Sequence, residues 1–297
     1  MKNILRKIKH IFEYIIFSIL YNDQRQQKYK ILNDIETVNL IINNKMSIAR
    51  YGDGEFKWLL KIKQNSFQTD NEIMQKRLEQ ILQIKPKDNI LVGIPYMFND
   101  MRELNIDAKA YWKKFFYFNR NNIEKFLNQN QVYCNSNITR PYIDYKDKNY
   151  QKIESKFLNL KKIWENREII IVEGKYSRLG RKNDLFDNVK KIERIICPPV
   201  NAFDKYEQIK NTVEQNSKEK LYIISLGPTA TILSYDLAVI GYQCVDIGHI
   251  DIEYMWFKQG TKHKESIPGK FVNEARTKNN ILERDEEYEK QIIKCIE

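Results

Sequence analysis

Cysteine, proline and glycine are all scarce in this 297-residue chain, at four, seven and ten residues respectively. Each scarcity excludes a class of protein. Cys134, Cys197, Cys244 and Cys295 are too widely separated for zinc-ligand or Cys-x-x-Cys spacing, so a reduced, cytoplasmic protein is expected rather than a disulfide scaffold or zinc module. So little glycine and proline excludes collagen-like and low-complexity architecture. The N-terminal apolar run Ile15-Ile16-Phe17 is broken by Ser18, far short of the ~20 residues that span a bilayer. No small-residue cleavage site follows it, which argues against a signal peptide. Walker A and Gly-x-Gly-x-x-Gly loops are missing, as are internal repeats and a Ser/Gly linker.

What is present points to a folded protein. The 14 Phe, 18 Tyr and 4 Trp, with 42% hydrophobic residues, can anchor a sizeable core and exclude disorder. The length suits two domains or one large α/β domain. Lys and Arg outnumber Asp and Glu by 50 to 39, a formal charge of +11 that suits a polyanion, an anionic membrane surface or a phosphorylated substrate. The excess clusters in two places. Residues 1–30 hold Lys2, Arg6, Lys7, Lys9, Arg25, Lys28 and Lys30, and residues 175–194 hold Lys175, Arg178, Arg181, Lys182, Lys190, Lys191 and Arg194.

In the first cluster, Ile4, Leu5, Ile8, Ile11, Phe12, Ile15, Ile16, Ile19 and Leu20 recur at helical spacing opposite Lys2, Arg6, Lys7, Lys9 and His10. Such a helix either lies on anionic lipid or packs its apolar stripe on the domain. Beyond it, helices are expected at 28–44, 56–62, 71–84, 105–128, 149–165, 203–215 and 229–240. Strands are expected at 46–51, 90–94, 131–134, 168–172, 192–197, 221–226 and 244–247. This alternation predicts a Rossmann-like α/β fold, a mainly parallel sheet covered by helices on both faces. Ligands of such sheets bind at the carboxyl ends of the strands, so residues just after strands draw the search.

Four such places carry chemistry. In Arg50-Tyr51-Gly52-Asp53-Gly54-Glu55, two carboxylates on a glycine-flanked turn can reach one hard cation, Mn²⁺ or Mg²⁺, with Arg50 beside them to pair with phosphate. Other Asp-x-Glu spacings occur, but those at Asp34, Asp70 and Asp285 fall on or next to expected helices and read as solvated. In Ser225-Leu226-Gly227-Pro228-Thr229-Ala230-Thr231, a strand turns into a helix whose start can hold a diphosphate, or is an ordinary helix start. In Asp246-Ile247-Gly248-His249-Ile250-Asp251-Ile252-Glu253, an extended chain projects His249, Asp251 and Glu253 to one face, as proton acceptor, second metal ligand or a hydrogen-bonded structural cluster. In Glu173–Gly180 with Asn183 and Asp184, Ser177 and Arg178 can bind phosphate or nucleotide, or the loop is simply solvated. Asn137, Thr139 and Arg140 form a further polar strand-end segment.

Taken together these segments resemble the bacterial GT-D-type glycosyltransferases of adhesin-glycosylation and capsular-polysaccharide clusters. The resemblance rests on Arg50–Glu55, Asn137–Asp144, Glu173-Gly174, Ser177–Gly180, Asn183–Phe186, Gly227–Thr231, Gly241–Gln243 and Asp246–Tyr254, in order over residues 45–260. Met255 departs from it, standing where the family pattern has an acidic residue. The resemblance implies a metal-bound nucleotide sugar, commonly UDP-glucose, with Asp53 and Glu55 as metal ligands. It places Arg50, Ser177, Arg178, Asn183, Gly227, Thr229 and Thr231 around the donor. Asn137, Thr139 and Arg140 would meet sugar or acceptor, with Asp251, Glu253 or His249 as base. The expected organisation is a basic amphipathic helix at 1–25, a GT-D-like domain at 26–265 and a helical tail at 266–297. The expected partners are a UDP-sugar and a glycan acceptor on a lipid carrier or a protein, with no nucleic acid, an anionic membrane surface meeting residues 1–20 and a peripheral position on the inner face of the plasma membrane. Two other readings use the same features: a metal-dependent phosphohydrolase or nucleotidyltransferase, and a basic nucleic-acid-binding protein. The second lacks any recognised binding-module pattern, and its aromatics at 111–118 sit at helical core spacing.

Overall fold

The computed structural model describes residues 2–22, 26, 28–64, 68–69, 71–83, 89–271 and 284–297, the side chains of the first seven excepted. Arg25 and the Asp-x-Glu acid Asp70 lie outside the described residues, as do the side chains of Lys2, Arg6 and Lys7. In chain order the elements are α1 (Lys2–Leu20), β1 (Lys30–Leu32), α2 (Asp34–Asn43), β2 (Ser47–Arg50), α3 (Asp53–Leu59), α4 (Glu72–Gln83), β3 (Ile90–Ile94), α5 (Ile106–Ile123) and β4 (Val132–Asn135). There follow α6 (Tyr150–Lys161), β5 (Glu168–Gly174), β6 (Lys191–Cys197), α7 (Tyr206–Glu214), β7 (Leu221–Ser225), α8 (Pro228–Val239), β8 (Gln243–Asp246), α9 (Ile250–Lys258), α10 (Glu286–Lys290) and β9 (Ile292–Cys295).

Side-chain alternation builds the layers. On β5, Ile169 and Ile171 enter one core while Ile170 and Val172 enter another on the opposite face. Ile223 and Val245 join the first, and Tyr222, Ile224 and Cys244 join the second. Strands apolar on both faces need cover on both, and they run parallel in the order β1-β4-β3-β2-β8-β7-β5-β6-β9. A third core gathers Phe56, Phe98, Trp112, Phe116 and Ile232 beneath α3, α4, α5 and α8. The Rossmann-like α/β reading is therefore correct.

Helix starts follow capping chemistry. Asn33 accepts the Glu36 N–H while Glu36 accepts the Asn33 N–H, a reciprocal cap on α2. Asn105 and Asn149 accept the N–H groups of Ala108 and Lys152 to start α5 and α6, and Pro228 opens α8. The Asn33 cap explains one difference from expectation. The helix expected over 28–44 is split, because the backbone of Lys30–Leu32 pairs with Val132–Cys134 before α2 can begin. Among the described residues the tail is also only partly helical. After the five-residue α10, Ile292–Cys295 pairs with β6 as an edge strand.

In the second basic cluster the three arginines turn inward, whereas Lys175, Lys182, Lys190 and Lys191 stay exposed. Arg194 donates to Glu173 at 2.6 Å, Arg181 to Asp285 at 2.7 Å, and the Arg178 guanidinium lies 4.9 Å from the Tyr288 ring centroid. Lys190 and Lys191 pair with Glu168 and Glu193. The three arginines thus answer acids and an aromatic ring of the chain itself. Tyr288 completes the cluster by donating to the fully buried Glu173 at 2.9 Å. Tyr288→Phe keeps the ring and removes that bond, so it should cost about 1–3 kcal/mol of unfolding free energy in urea titration.

Candidate active site

The carboxyl ends of the parallel strands form one face, and the loops leaving β2, β5, β6, β7 and β8 shape it. β2 runs through Tyr51 to Gly52, whose extended backbone caps α3, so Asp53 is the first helical residue and Glu55 the third. Glu55 Oε2 accepts the Gly52 N–H at 2.8 Å. Burial pushes its carboxyl up to about 7 against that bond, and the neighbouring Asp246 and Asp53 push the same way. Around Asp53, the cost of burial is outweighed by Lys57, whose Nζ stands 2.6 Å from Oδ2, and by the Tyr111 hydroxyl of α5. Asp53 is held below the usual carboxylate range and is ionised at neutral pH. A methyl group on Gly54 would meet nothing within 4 Å, so this turn faces open space.

The residues expected to surround a nucleotide sugar separate into two sets. One set lines a small cleft of about 100 Å³, open to solvent, at the ends of β5 to β8. Ser177, Gly227, His249 and Asp251 are on its wall, with Tyr176, Pro199, Gln68 and Phe271. The cleft sits at the end of β5, which has β6 on one side and β7 on the other, the position at which open α/β sheets bind ligands. Thr229 stands in the first turn of α8 beside the cleft residue Pro228, and its Oγ1 is buried without a hydrogen-bond partner among the described residues.

The other set holds the frame. Arg50 donates to Asp246 O (2.6 Å), Asp246 Oδ1 (3.0 Å), Ser136 O (2.8 Å) and Thr139 Oγ1 (2.8 Å), so its guanidinium is committed to the protein. Thr231 donates to Arg50 O at 2.9 Å. Arg178 faces Tyr288 of the tail. Asn183 donates to Asp251 Oδ1 at 2.8 Å, and Arg140 pairs at 3.5 Å with both Asp144 and Glu253. Asn137 is buried in the turn after β4.

The segment expected to be extended at 249–253 is helical instead: His249 caps α9, and Asp251 and Glu253 lie in its first turn. They therefore do not share a face with His249 in the manner of a strand. Asp251 accepts the Gly180 N–H at 2.8 Å and binds Lys270, pinning the loop after β5. Glu253, fully buried, accepts the N–H groups of Ile143 (3.0 Å) and Tyr142 (3.3 Å). Sequence reading missed Asp246 as the partner of Arg50, and Tyr111, Lys57 and Lys270 as partners of the acids. Only Lys57, four residues after Asp53 on one helix, left a readable signal.

The Asp53–Glu55 pair has the donor chemistry a divalent ion takes, hard carboxylate oxygens. Asp53 is engaged by Lys57 and Tyr111 and Glu55 by the Gly52 N–H, so an ion would replace these partners at the oxygens it bound. No group of three or more His, Cys, Asp or Glu converges among the described residues. A pair completed by substrate oxygens and water is the arrangement Mg²⁺ usually takes in phosphate sites.

With this geometry in place, comparison with known proteins is decisive. A family model for the glycosyltransferase GT-D fold matches residues 48–275. The chain belongs to the GT-D glycosyltransferase family. It is 32% identical over 274 residues to the probable glycosyl transferase Gly of Streptococcus gordonii, covering 91% of this chain and 39% of that protein. It is 36% identical over 265 residues to glycosyltransferase GlyD of Streptococcus pneumoniae serotype 4 (strain ATCC BAA-334 / TIGR4), covering 87% of this chain and 31% of that one. The chain thus spans about a third of the length of these curated relatives. A solved structure described as a new glycosyltransferase from Streptococcus sanguinis superposes with TM-score 0.85 at 32% identity, covering 91% of this chain and 100% of the other. Another, described as the highly conserved domain of unknown function 1792 with a distinct glycosyltransferase fold, gives 0.83 at 38% identity, with 91% and 96% coverage. The GT-D match begins inside β2 and runs past α9, taking in the acid pair and the cleft.

Two outcomes test this GT-D frame. Gly248 has φ +46°, and a Cβ there would stand 2.2 Å from Arg50 Nη2. Gly248→Ala should therefore cost about 1–3 kcal/mol in urea titration and lower any transferase activity with it. Burial, opposed by Arg140, pushes the Glu253 carboxyl from 4.5 up to about 7. Over that window the folded state binds more protons than the unfolded one, so Glu253 withdraws stability as pH rises through it, by at most about 3 kcal/mol. Glu253→Gln cannot titrate. Its stability relative to the parent should rise between pH 5 and pH 8, read from urea midpoints.

Proposed function

We propose that this chain transfers a hexose, glucose in the first instance, from a UDP-sugar to a glycan acceptor in the cytoplasm. The reaction would serve bacterial surface polysaccharide, including capsule, or glycoprotein synthesis, and use Mn²⁺ or Mg²⁺. The observation carrying this reading is an ionised, partly exposed Asp53 with Glu55 two residues on, one strand over from a cleft at the switch point of the sheet. A transferase must bind a diphosphate there and tolerate the charge that grows on it as the sugar departs. A divalent ion held by Asp53 and Glu55 would supply that neutralisation when bound.

The chain's own groups complete the site. The start of α8 at Gly227, Pro228 and Thr229 offers backbone N–H groups and the unpaired Thr229 hydroxyl to a diphosphate. Ser177 and His249 border the cleft, where a nucleoside would lie against Pro199 and Tyr176. Arg50 acts through the frame, holding the ends of β2, β4 and β8 in register. Asp251 and Glu253 act as positioning residues that fix the loops after β5 and β4, which leaves His249 as the imidazole placed to touch the reacting groups. A second groove, lined by Asn33, Tyr96, Asp100, Asn135, Tyr145 and Lys156, opens at the ends of β1, β3 and β4. Its mainly apolar lining, with Tyr96, Tyr145 and a few polar groups, suits the ring faces and hydroxyls of a glycan acceptor.

The test is UDP release from UDP-glucose with Mn²⁺. Asp53→Asn and Glu55→Gln should each lower it at least 100-fold, a loss of about 3 kcal/mol or more in transition-state stabilisation, while folding cooperatively. UDP with Mn²⁺ should raise the melting temperature of the parent but not of these variants. Inorganic phosphate appearing in place of UDP would instead support a phosphohydrolase.

A further inference from the structure

The docking of α1 runs against the usual logic of amphipathic helices. It lies parallel to α5, with His10 paired to Asp107 at 2.9 Å, Glu13 to Lys114 at 2.8 Å, and Tyr21 accepting from Arg120 at 2.7 Å. Phe17 packs between Tyr117 and Phe118 at centroid distances of 5.6 and 5.8 Å. Residues 10, 13, 17 and 21 thus form the face that meets the protein, and most of its contacts are polar or aromatic. The stripe at i, i+3, i+4 and i+7, made of Ile8, Ile11, Phe12, Ile15 and Ile19, points the other way, with exposures from 46% at Ile11 to 79% at Ile19. Phe118 of α5, against Phe17, is also exposed, at 62%. An amphipathic helix normally buries this stripe. Here the protein leaves it outward.

We infer that α1 is a docking surface for an anionic lipid bilayer. Charge selects this occupant. Residues 1–20 carry Lys2, Arg6, Lys7 and Lys9 against the single acid Glu13. A second copy of the chain would bring two such basic segments together, whereas anionic headgroups complement them. No helix among the described residues is long and apolar enough to cross a membrane, so the contact lies in the interfacial plane. Position adds a consequence. α5 begins on the side of the sheet where the Tyr111 hydroxyl reaches Asp53, and the pairing of His10 with Asp107 carries residues 2–9 past that start. The basic end of α1 and the acid pair therefore share one side of the molecule. If the proposed transferase reading holds, a lipid-linked acceptor would be presented to the site; the lipid contact itself does not depend on that reading.

Flotation of the full chain with vesicles tests the inference. The parent should float with 1:1 phosphatidylglycerol–phosphatidylcholine vesicles and at least tenfold less with phosphatidylcholine alone. Phe12→Asp with Ile15→Asp should reduce flotation at least tenfold, while Ile73→Asp, on the exposed face of α4, should leave it unchanged. Arg6→Gln, Lys7→Gln and Lys9→Gln together, which spare the apolar stripe, should weaken binding to the anionic vesicles. UDP release without acceptor, measured in parallel, should match the parent in each variant, which separates this inference from the donor chemistry. Absent flotation of the parent, undiminished flotation of the double variant, or a dimer in sedimentation velocity that the double variant dissociates without any vesicle binding would each overturn it.

Discussion

Arg50 is the joint on which the rest of the molecule depends. The sheet consists of two halves, β1 to β4 and β5 to β9, and they meet where β2 lies beside β8 through the single register pair Ile48–Val245. Neighbouring strands such as β5 and β6 share seven such pairs, so the central seam is thin in backbone hydrogen bonds. Arg50 compensates at the end that matters. Its fork binds the backbone and carboxylate of Asp246 on β8, and the turn after β4 through Ser136 and Thr139. The planar guanidinium suits this task because its donors are fixed relative to one another. The acid pair belongs to one half and the cleft to the other, and Arg50 sets the distance between them.

Buried charge is used throughout in the same way. Glu173, Asp251 and Glu253 lie at or near strand ends, and each accepts backbone N–H groups from a loop that shapes the catalytic face. A carboxylate sunk this deeply is costly unless its oxygens are occupied, and the loops supply the donors. The loops in turn gain an order that surface segments seldom have. Polar residues just after strands therefore build the walls of the site as well as its chemistry.

The fold was largely legible in the sequence because short continuous apolar runs bounded by turns mark parallel strands covered on both faces, as in Ile90–Ile94 and Leu221–Ser225. Legibility failed where long-range pairing decided the outcome. Lys30–Leu32 reads as helix until Val132–Cys134 offers it a ladder, and Ile292–Cys295 reads as helix until β6 does the same. The segment after β8 alternates like a strand, yet its ionisable residues start a helix, where acids favour the first turn. At the site, the Asp53–Glu55 turn was readable because glycine and carboxylates sit together in sequence. The commitments of Arg50, Arg178 and Asp251 were not, since their partners Asp246, Tyr288 and Lys270 are brought to them only by the folded topology.

The edge strand β9 and its preceding helix have a bearing on biogenesis. Glu173, which anchors the loop walling the cleft, takes a hydrogen bond from Tyr288, 115 positions further along. During synthesis the ribosome therefore releases the strands of the central sheet well before the residue that locks this loop. Until the tail has emerged and paired with β6, Glu173 lacks the Tyr288 hydroxyl and Arg194 the Tyr288 ring, 4.4 Å from its guanidinium, and the nascent chain cannot yet hold the wall of the cleft in finished form.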